Sequence, residues 1–261
     1  DQQSLSEFDR LRSKELYKLW NRLASGSYFA PPVKRVTIPK ADGKTRPLGI
    51  PTISDRIAQQ VVKEYLEPSM ESIFLENSYG YRPNRNAHQA IEKVRYNVRY
   101  HSWVIDLDIQ EFFENVNHSL LLKALERHVS EKWVLLYIKR WLEAPVILED
   151  GTMKTPNGKG TPQGGVISPL LANLYLHYCV DKWLEKYYPT VRMVRYADDL
   201  IIHSSSNKEA INILTALKSR LEECDLKAHP EKTKIVYCKK DGRNLNGLSL
   251  IHISEPTRRT P

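Results

Sequence analysis

Three acidic residues carry the sharpest chemical signal in the chain. Asp108 falls in Trp103-Val104-Ile105-Asp106-Leu107-Asp108-Ile109, where apolar and acidic residues alternate as on a strand with one buried face. Far downstream, Asp198 and Asp199 stand between apolar runs within Val191 to Ile202, a pattern that predicts a β-hairpin with the acids at its turn. The three can meet only if neighbouring strands bring them together. Packed carboxylates repel and raise one another's pKa unless cations neutralise them, and hard oxygen ligands select Mg²⁺ or Mn²⁺. Two such ions about 3.5–4 Å apart would activate an attacking 3′-hydroxyl and stabilise a leaving pyrophosphate. Taken alone, an Asp-Asp pair at a turn is more often a solvated loop tip, because Asp is a common turn former.

The elements that must position these acids follow from periodicity. Leu5, Phe8, Leu11, Leu16, Leu19, Trp20 and Leu23 recur at near-helical intervals and Gly26 follows, so an amphipathic helix is expected over 5–24. Residues 33–51 read as a basic β-hairpin around Asp42-Gly43. Helical patterns cover 54–70, 86–100 and 118–143, and Ser168-Pro169 supplies an N-cap and first-turn proline for a long helix to about residue 187. A further amphipathic helix spans 207–225. Strands interleaved with helices predict an α+β fold whose sheet is covered mainly on one face.

Composition narrows the classes. The 261 residues are 41% hydrophobic and 27% charged, ordinary globular proportions with enough chain for a sizeable core. The mean hydropathy of −0.49 and the absence of a long apolar run predict no membrane span. Three cysteines, Cys179, Cys224 and Cys238, form no zinc spacing and no evident disulfide framework, which fits a reducing cytoplasm. The eight histidines form no metal-binding or Ser-His-Asp spacing. The net charge is +8, and residues 1–100 hold 17 basic against 11 acidic side chains, so the N-terminal half is expected to meet a polyanion. No signal peptide opens the chain, and a start at Asp1 suggests a fragment.

Five blocks, in order, carry a resemblance to a known family. Tyr196-Ala197-Asp198-Asp199 resembles the Tyr-x-Asp-Asp signature of reverse transcriptases, and Asp108 to His118 is similar to the first catalytic block of the bacterial enzymes. Gly160 to Asn173 resembles the Gln-Gly block of the group II intron branch. Arg46-Pro47-Leu48-Gly49-Ile50-Pro51 and Ser78-Tyr79-Gly80-Tyr81-Arg82-Pro83 match two fingers blocks. The resemblance implies a right-hand fold: helical and β-hairpin fingers (about 1–100 and 144–168) and an antiparallel-sheet palm packed on helices (about 101–143 and 169–247). The whole reverse transcriptase domain would cover 20–248, with the thumb absent.

The implied activity is RNA-directed DNA synthesis by two-metal nucleotidyl transfer, with dNTP substrates, a template RNA and a DNA or RNA primer. Asp108, Asp198 and Asp199 would hold two Mg²⁺ ions, or Mn²⁺, with the Ile109 backbone carbonyl as a further ligand. Lys40 and Arg46 would grip the triphosphate, Phe113 would reject a 2′-hydroxyl, and Gln163 would face nucleotide or template. Lys232 would protonate pyrophosphate, with Lys234 close enough to compete. The full-length protein would bind its intron RNA and aid splicing and retrohoming, in a bacterial cytoplasm. Alternatives are a splicing maturase with secondary or lost polymerase activity, or the enzyme of a diversity-generating, retron or defence system. The tail 248–261 resembles nothing in the family and reads as foreign or frame-shifted.

Overall fold

The computed structural model describes residues 3–39, 45–238 and 248; Lys40, the Asp42-Gly43 turn and the tail beyond 248 lie outside the described residues. The strands among them are β1 (Val33–Pro39), β2 (Thr45–Ile50), β3 (Trp103–Asp108), β4 (Val146–Ile147), β5 (Met153–Lys154), β6 (Arg192–Tyr196), β7 (Asp199–Ser204) and β8 (Lys234–Tyr237). The chain divides into two compact units. One takes residues up to Ser72 with Phe113–Leu171, the other Ile73–Phe112 with residues from Ala172 onward.

In the first unit β1 and β2 pair antiparallel, Lys34 opposite Ile50 and Ile38 opposite Arg46, as the basic hairpin pattern requires. Two short strands missing from the sequence reading extend this sheet to the order β2-β1-β4-β5. The expected N-terminal helix is broken at Leu11 into Leu5–Arg10 and Arg12–Ala24. The helix expected over 118–143 is likewise two, His118–Leu125 and Lys132–Leu142. A buried carboxylate ties the unit together: Asp55 accepts hydrogen bonds from Tyr28 Oη (2.8 Å), Trp141 Nε1 (2.7 Å) and Gln59 Nε2 (2.9 Å). Burial pushes its pKa up, and the three donors oppose that shift.

In the second unit the sheet order is β6-β7-β3-β8, antiparallel throughout. Val104, Val194 and Ile201 pack against Ala90, Val94 and Val98 of the helix Ala87–Val98, in a core that also takes Cys238 and Leu248. That helix starts at a capping box between Asn86 and Gln89. The alternate residues Ile105, Leu107, Leu200 and Ile202 are equally buried. The expectation of a sheet covered mainly on one face is therefore corrected: both faces are covered, and the helix Asn207–Glu223 packs on β3, β7 and β8. Consecutive apolar residues such as Leu200-Ile201-Ile202 are the sequence trace of such a strand. The three cysteines are free and buried. No helix among the described residues is long and apolar enough to cross a membrane.

The long helix expected over 168–187 is interrupted. Ser168–Leu176 runs into a π-helical turn at His177–Asp181 and then Lys182–Tyr187. At the end of that turn Asp181 is fully buried and forks onto Arg195 of β6, with Arg195 Nε to Oδ1 at 2.8 Å and Nη2 to Oδ2 at 2.6 Å. Such turns recur where a helix must serve a site, and a buried charge is tolerated only when paired and fully hydrogen-bonded.

Two measurements test this framework. Arg195→Leu strands the Asp181 charge, so denaturant unfolding is expected to show a loss of about 3–5 kcal/mol, with part regained on adding Asp181→Leu. His203 on β7 is fully buried, and burial lowers its pKa from 6.5 to about 3. Between those values the unfolded chain binds a proton that the folded one refuses, so stability falls as pH drops from 6.5 towards 3. His203→Leu is expected to flatten that limb of the stability–pH curve.

Candidate active site

The antiparallel register of β3 and β7 sets Asp108 directly opposite Asp199. Cross-strand partners point to the same side of a sheet, with Cα atoms about 4.5–5.5 Å apart, so the two carboxylates share one face. Asp106 lies two residues back along β3 and therefore on that same face, buried to 1% exposure. Asp198 occupies the β6–β7 turn immediately before Asp199. Three of the sequence-selected residues are thus brought together, and a fourth acid joins them. Asp106 was legible in the period-2 pattern of β3 but reads there as one more alternating polar residue.

The electrostatic consequence falls on Asp199, whose pKa rises from 3.8 to about 7. Burial is the largest cause, followed by the charges of Asp198, Asp108 and Asp106, while Lys232 pulls the other way. Lys232 Nζ lies 3.2 Å from Asp108 Oδ2, and Lys234 Nζ lies 4.0 Å from Asp106 Oδ2. The two lysines therefore serve different acids. Their placement comes from the backbone: Gln110 N donates to Lys227 O (2.8 Å) and His229 N to Asp108 O (2.7 Å), which brackets Ile109 and lays 227–232 beside the end of β3. The Ile109 side chain is buried in this arrangement.

The turn that presents Asp198 and Asp199 is held from behind. Ala197 has φ +56°, a left-handed conformation that costs a residue bearing a Cβ. Arg195 Nη1 donates to Ala197 O (3.1 Å) and to Asn173 Oδ1 (2.9 Å), and Asn173 Nδ2 donates to Gly80 O (2.8 Å). Gly80 presses on the turn so closely that an added Cβ would lie 2.3 Å from Ala197 N. The segment before it runs along β6, with Tyr79 N to Arg195 O and Arg195 N to Asn77 O both at 2.8 Å. The Ser78–Pro83 block thus shapes the acidic turn from its own unit, a role its residue types alone do not disclose.

The remaining selected residues belong to the first unit. Phe113 and Gln163 line one cavity of about 340 Å³ together with Arg35, Gly49, Lys154 and Lys159. Gly49 N donates to Gln163 O (2.6 Å), and a Cβ on Gly164, at φ +106°, would sit 2.4 Å from Gly49 O, so the Gln-Gly block requires glycine where it meets β2. Arg35, Lys154 and Lys159 were not singled out in the sequence, where isolated cations look like solvated surface. Arg46 is exposed on β2, opposite Ile38. Lys40 lies outside the described residues.

As a metal centre, the acidic cluster has the right donor chemistry: clustered carboxylate oxygens, one acid forced towards neutrality and an ammonium group drawn onto another. Divalent cations would relieve the repulsion that Lys232 now offsets. Among the described residues no three acidic, histidine or cysteine side chains are yet drawn closely enough to hold an ion as they stand.

Comparison with known proteins agrees with this geometry. Residues 38–251 match the family described as reverse transcriptase (RNA-dependent DNA polymerase). The chain is 33% identical to Protein YkfC of Escherichia coli, over 85% of its own length and 68% of that protein. It is 35% identical to the group II intron-encoded protein LtrA of Lactococcus lactis, over 65% of the chain, and spans only 28% of that longer relative. Its fold is similar to telomerase from Candida albicans, with a TM-score of 0.61 at 15% identity, covering 88% of this chain and 45% of that one. An acidic hairpin turn facing a strand-borne aspartate, within a sequence match covering most of its length, places the chain in the reverse transcriptase (RNA-dependent DNA polymerase) family.

Proposed function

We propose that the chain forms the fingers and palm of an RNA-directed DNA polymerase from a group II intron-type retroelement. The observation that carries this reading is the register pairing of Asp108 with Asp199 beside Asp198, a carboxylate cluster charged enough to demand cations. Asp108, Asp198 and Asp199 would hold two Mg²⁺ ions, or Mn²⁺, with the Ile109 carbonyl as a further ligand. When bound, such ions activate the primer 3′-hydroxyl and carry charge on the departing pyrophosphate.

The chain's own residues do the rest. The Arg195–Asn173–Gly80 contacts fix the backbone of the turn, so that only side-chain movement separates Asp198 and Asp199 from a shared ion, a form of the preorganisation on which electrostatic catalysis depends. Lys232 offsets the Asp108 charge in the absence of cations and holds a proton suited to the leaving pyrophosphate. Lys40 and Arg46 bind the triphosphate of the incoming dNTP. Phe113 bars a 2′-hydroxyl from its cavity, and Gln163 meets the nucleotide or template there. Template RNA and a DNA or RNA primer are the macromolecular substrates, and the intron RNA is the partner of the longer protein. The setting is a bacterial cytoplasm.

Splicing assistance is a second role, supported by 28% identity to nuclear intron maturase 2 of Arabidopsis thaliana over 50% of this chain. RNA binding through a basic surface does not need the acidic cluster, so the two roles are separable.

On a primed RNA template with Mg²⁺ and dNTPs, Asp199→Asn or Asp108→Asn is expected to lower incorporation by at least roughly 10²–10³-fold, the scale of removing one preorganised charge. Unchanged incorporation defeats the metal assignment; splicing that persists in the same variants assigns that role to RNA binding alone. Phe113→Ala is expected to raise ribonucleotide incorporation relative to dNTPs by about ten-fold, the lower range for a small steric difference in a pocket. Competition between labelled dNTP and NTP reads this out, and an unaltered ratio refutes the gate.

A further inference from the structure

The second unit carries another cavity, at the opposite end of β6 from the acidic turn. Arg192 opens β6 and Asp198 follows it in the turn, which at about 3.3 Å per residue separates the two by roughly 20 Å. Here a cavity of about 660 Å³ is lined by Asn77, Tyr79, Arg85, Lys93, Tyr96 and Asn97, and closed by Arg192 and Met193. That volume lies within the range of sites that enclose a small organic ligand.

We propose that this cavity binds an unpaired nucleotide of a single-stranded nucleic acid, as a site separate from the carboxylate cluster. Cations and the Tyr79 and Tyr96 rings line it, and Tyr100 stands beside Tyr96, outside the lining itself. Arg85 lies 5.3 Å from the Tyr79 ring centre, Lys93 lies 5.6 Å from that of Tyr96, and Arg192 lies 4.2 Å from that of Tyr100 and 5.8 Å from that of Tyr96. Tyr96 and Tyr100 share a hydroxyl hydrogen bond (3.2 Å) yet remain 45% and 52% exposed. Half-exposed tyrosines beside guanidinium planes offer stacking faces to a base, and the cations suit a phosphate.

Two amides lie behind the cavity wall. Asn97 has neither amide end hydrogen-bonded, and Asn77 Oδ1 is also without a hydrogen-bond partner, although all three atoms are shielded from solvent. Because solvent does not reach them, these amides would meet a base edge only where the wall opens around it, and binding rests on the cations and tyrosines. An acidic peptide would satisfy the cations but leave the exposed tyrosine faces unused. Two carboxylates also border the cavity, Glu76 and Glu185; Glu185 is already paired with Lys182 at 2.7 Å, so positive charge prevails.

The test uses the full chain without Mg²⁺ or dNTPs, so its result does not depend on the polymerase reading. Single-stranded RNA and DNA of one sequence, carrying 4-thiouridine or 4-thiothymidine, are photo-crosslinked and the attachment site is mapped by mass spectrometry, with affinity measured by fluorescence anisotropy. Crosslinks are expected on the peptide containing Tyr96 and Tyr100. Tyr96→Ala is expected to weaken binding by about five-fold or more, the lower bound for one lost stacking partner. Lys93→Glu with Arg192→Gln is expected to reduce the slope of log affinity against log salt by about 0.7 for each phosphate that is no longer neutralised. Lys93 is exposed on its helix, so Lys93→Glu alone preserves the test if the double variant melts early. Absence of the crosslink, or affinity unchanged in Lys93→Glu and Tyr96→Ala, overturns the proposal. So does displacement of the oligonucleotide by AMP of equal affinity, which would make the cavity a free-nucleotide site.

Discussion

Like-charge repulsion across one pair of strands governs the architecture around the acidic turn. Asp108 and Asp199 face each other in β3 and β7, with Asp106 on the same face and Asp198 in the adjoining turn. No sheet places such residues together for stability, since opposed like charges are unfavourable and their burial adds a desolvation cost. The burial of Asp199 and its pKa near 7 are the visible mark of that cost. Register is the element that cannot vary: a one-residue slip would carry Asp108 and Asp106 to the opposite face and put Leu107 against the turn. The apolar residues alternating with the acids, Ile105 and Leu107 on β3 with Leu200 and Ile202 on β7, lock that register because each is buried to 1% exposure or less.

The structure meets the cost in two places. Lys232 and Lys234 reach the cluster from one chain segment, and their two-residue spacing lets each serve its own acid, Asp108 and Asp106. Behind the turn, a single buried guanidinium links elements distant in sequence: Arg195 contacts Asp181, Asn173 and Ala197, while Asn173 reaches Gly80. Arginine suits this position because its planar fork satisfies the Asp181 carboxylate and still leaves a donor for the turn. The π-helical turn at His177–Asp181 falls at the carboxylate that Arg195 requires.

Much of this was legible in the sequence wherever the signal was local. The strand over 103–108, the Asp-Asp turn and the antiparallel pairing of the basic hairpin each depend on a few consecutive residues and each formed, although β3 is buried on both faces where the alternation predicted one. Longer patterns misled where phase was ignored. A continuous helix carrying the buried face of Leu121 and Leu125 would bury residues near 135 and 139, whereas the second helix buries Val134, Tyr137, Ile138 and Trp141. That phase shift marks the break at 126–131. β4 and β5, at two residues each, carry no periodicity at all and exist only through pairing with β1 and with each other. The competition between Lys232 and Lys234 could not be decided from spacing, because it depends on how 227–232 lies against β3.

The glycines show that the blocks resembling the family's signatures hold architectural residues beside those with chemically reactive side chains. Gly80 and Gly164 each stand where a Cβ would collide with backbone, at Ala197 N and Gly49 O respectively. Neither contributes a functional group. Each lets one segment approach another at a distance that only hydrogen-bonded backbone tolerates, and what is fixed as a result is the course of the chain beside a side chain selected from the sequence: the turn carrying Asp198 and Asp199 in one unit, and Gln163 in the other. Residue type therefore identifies the groups that can do chemistry, while their placement depends on close backbone contacts that no residue type announces by itself.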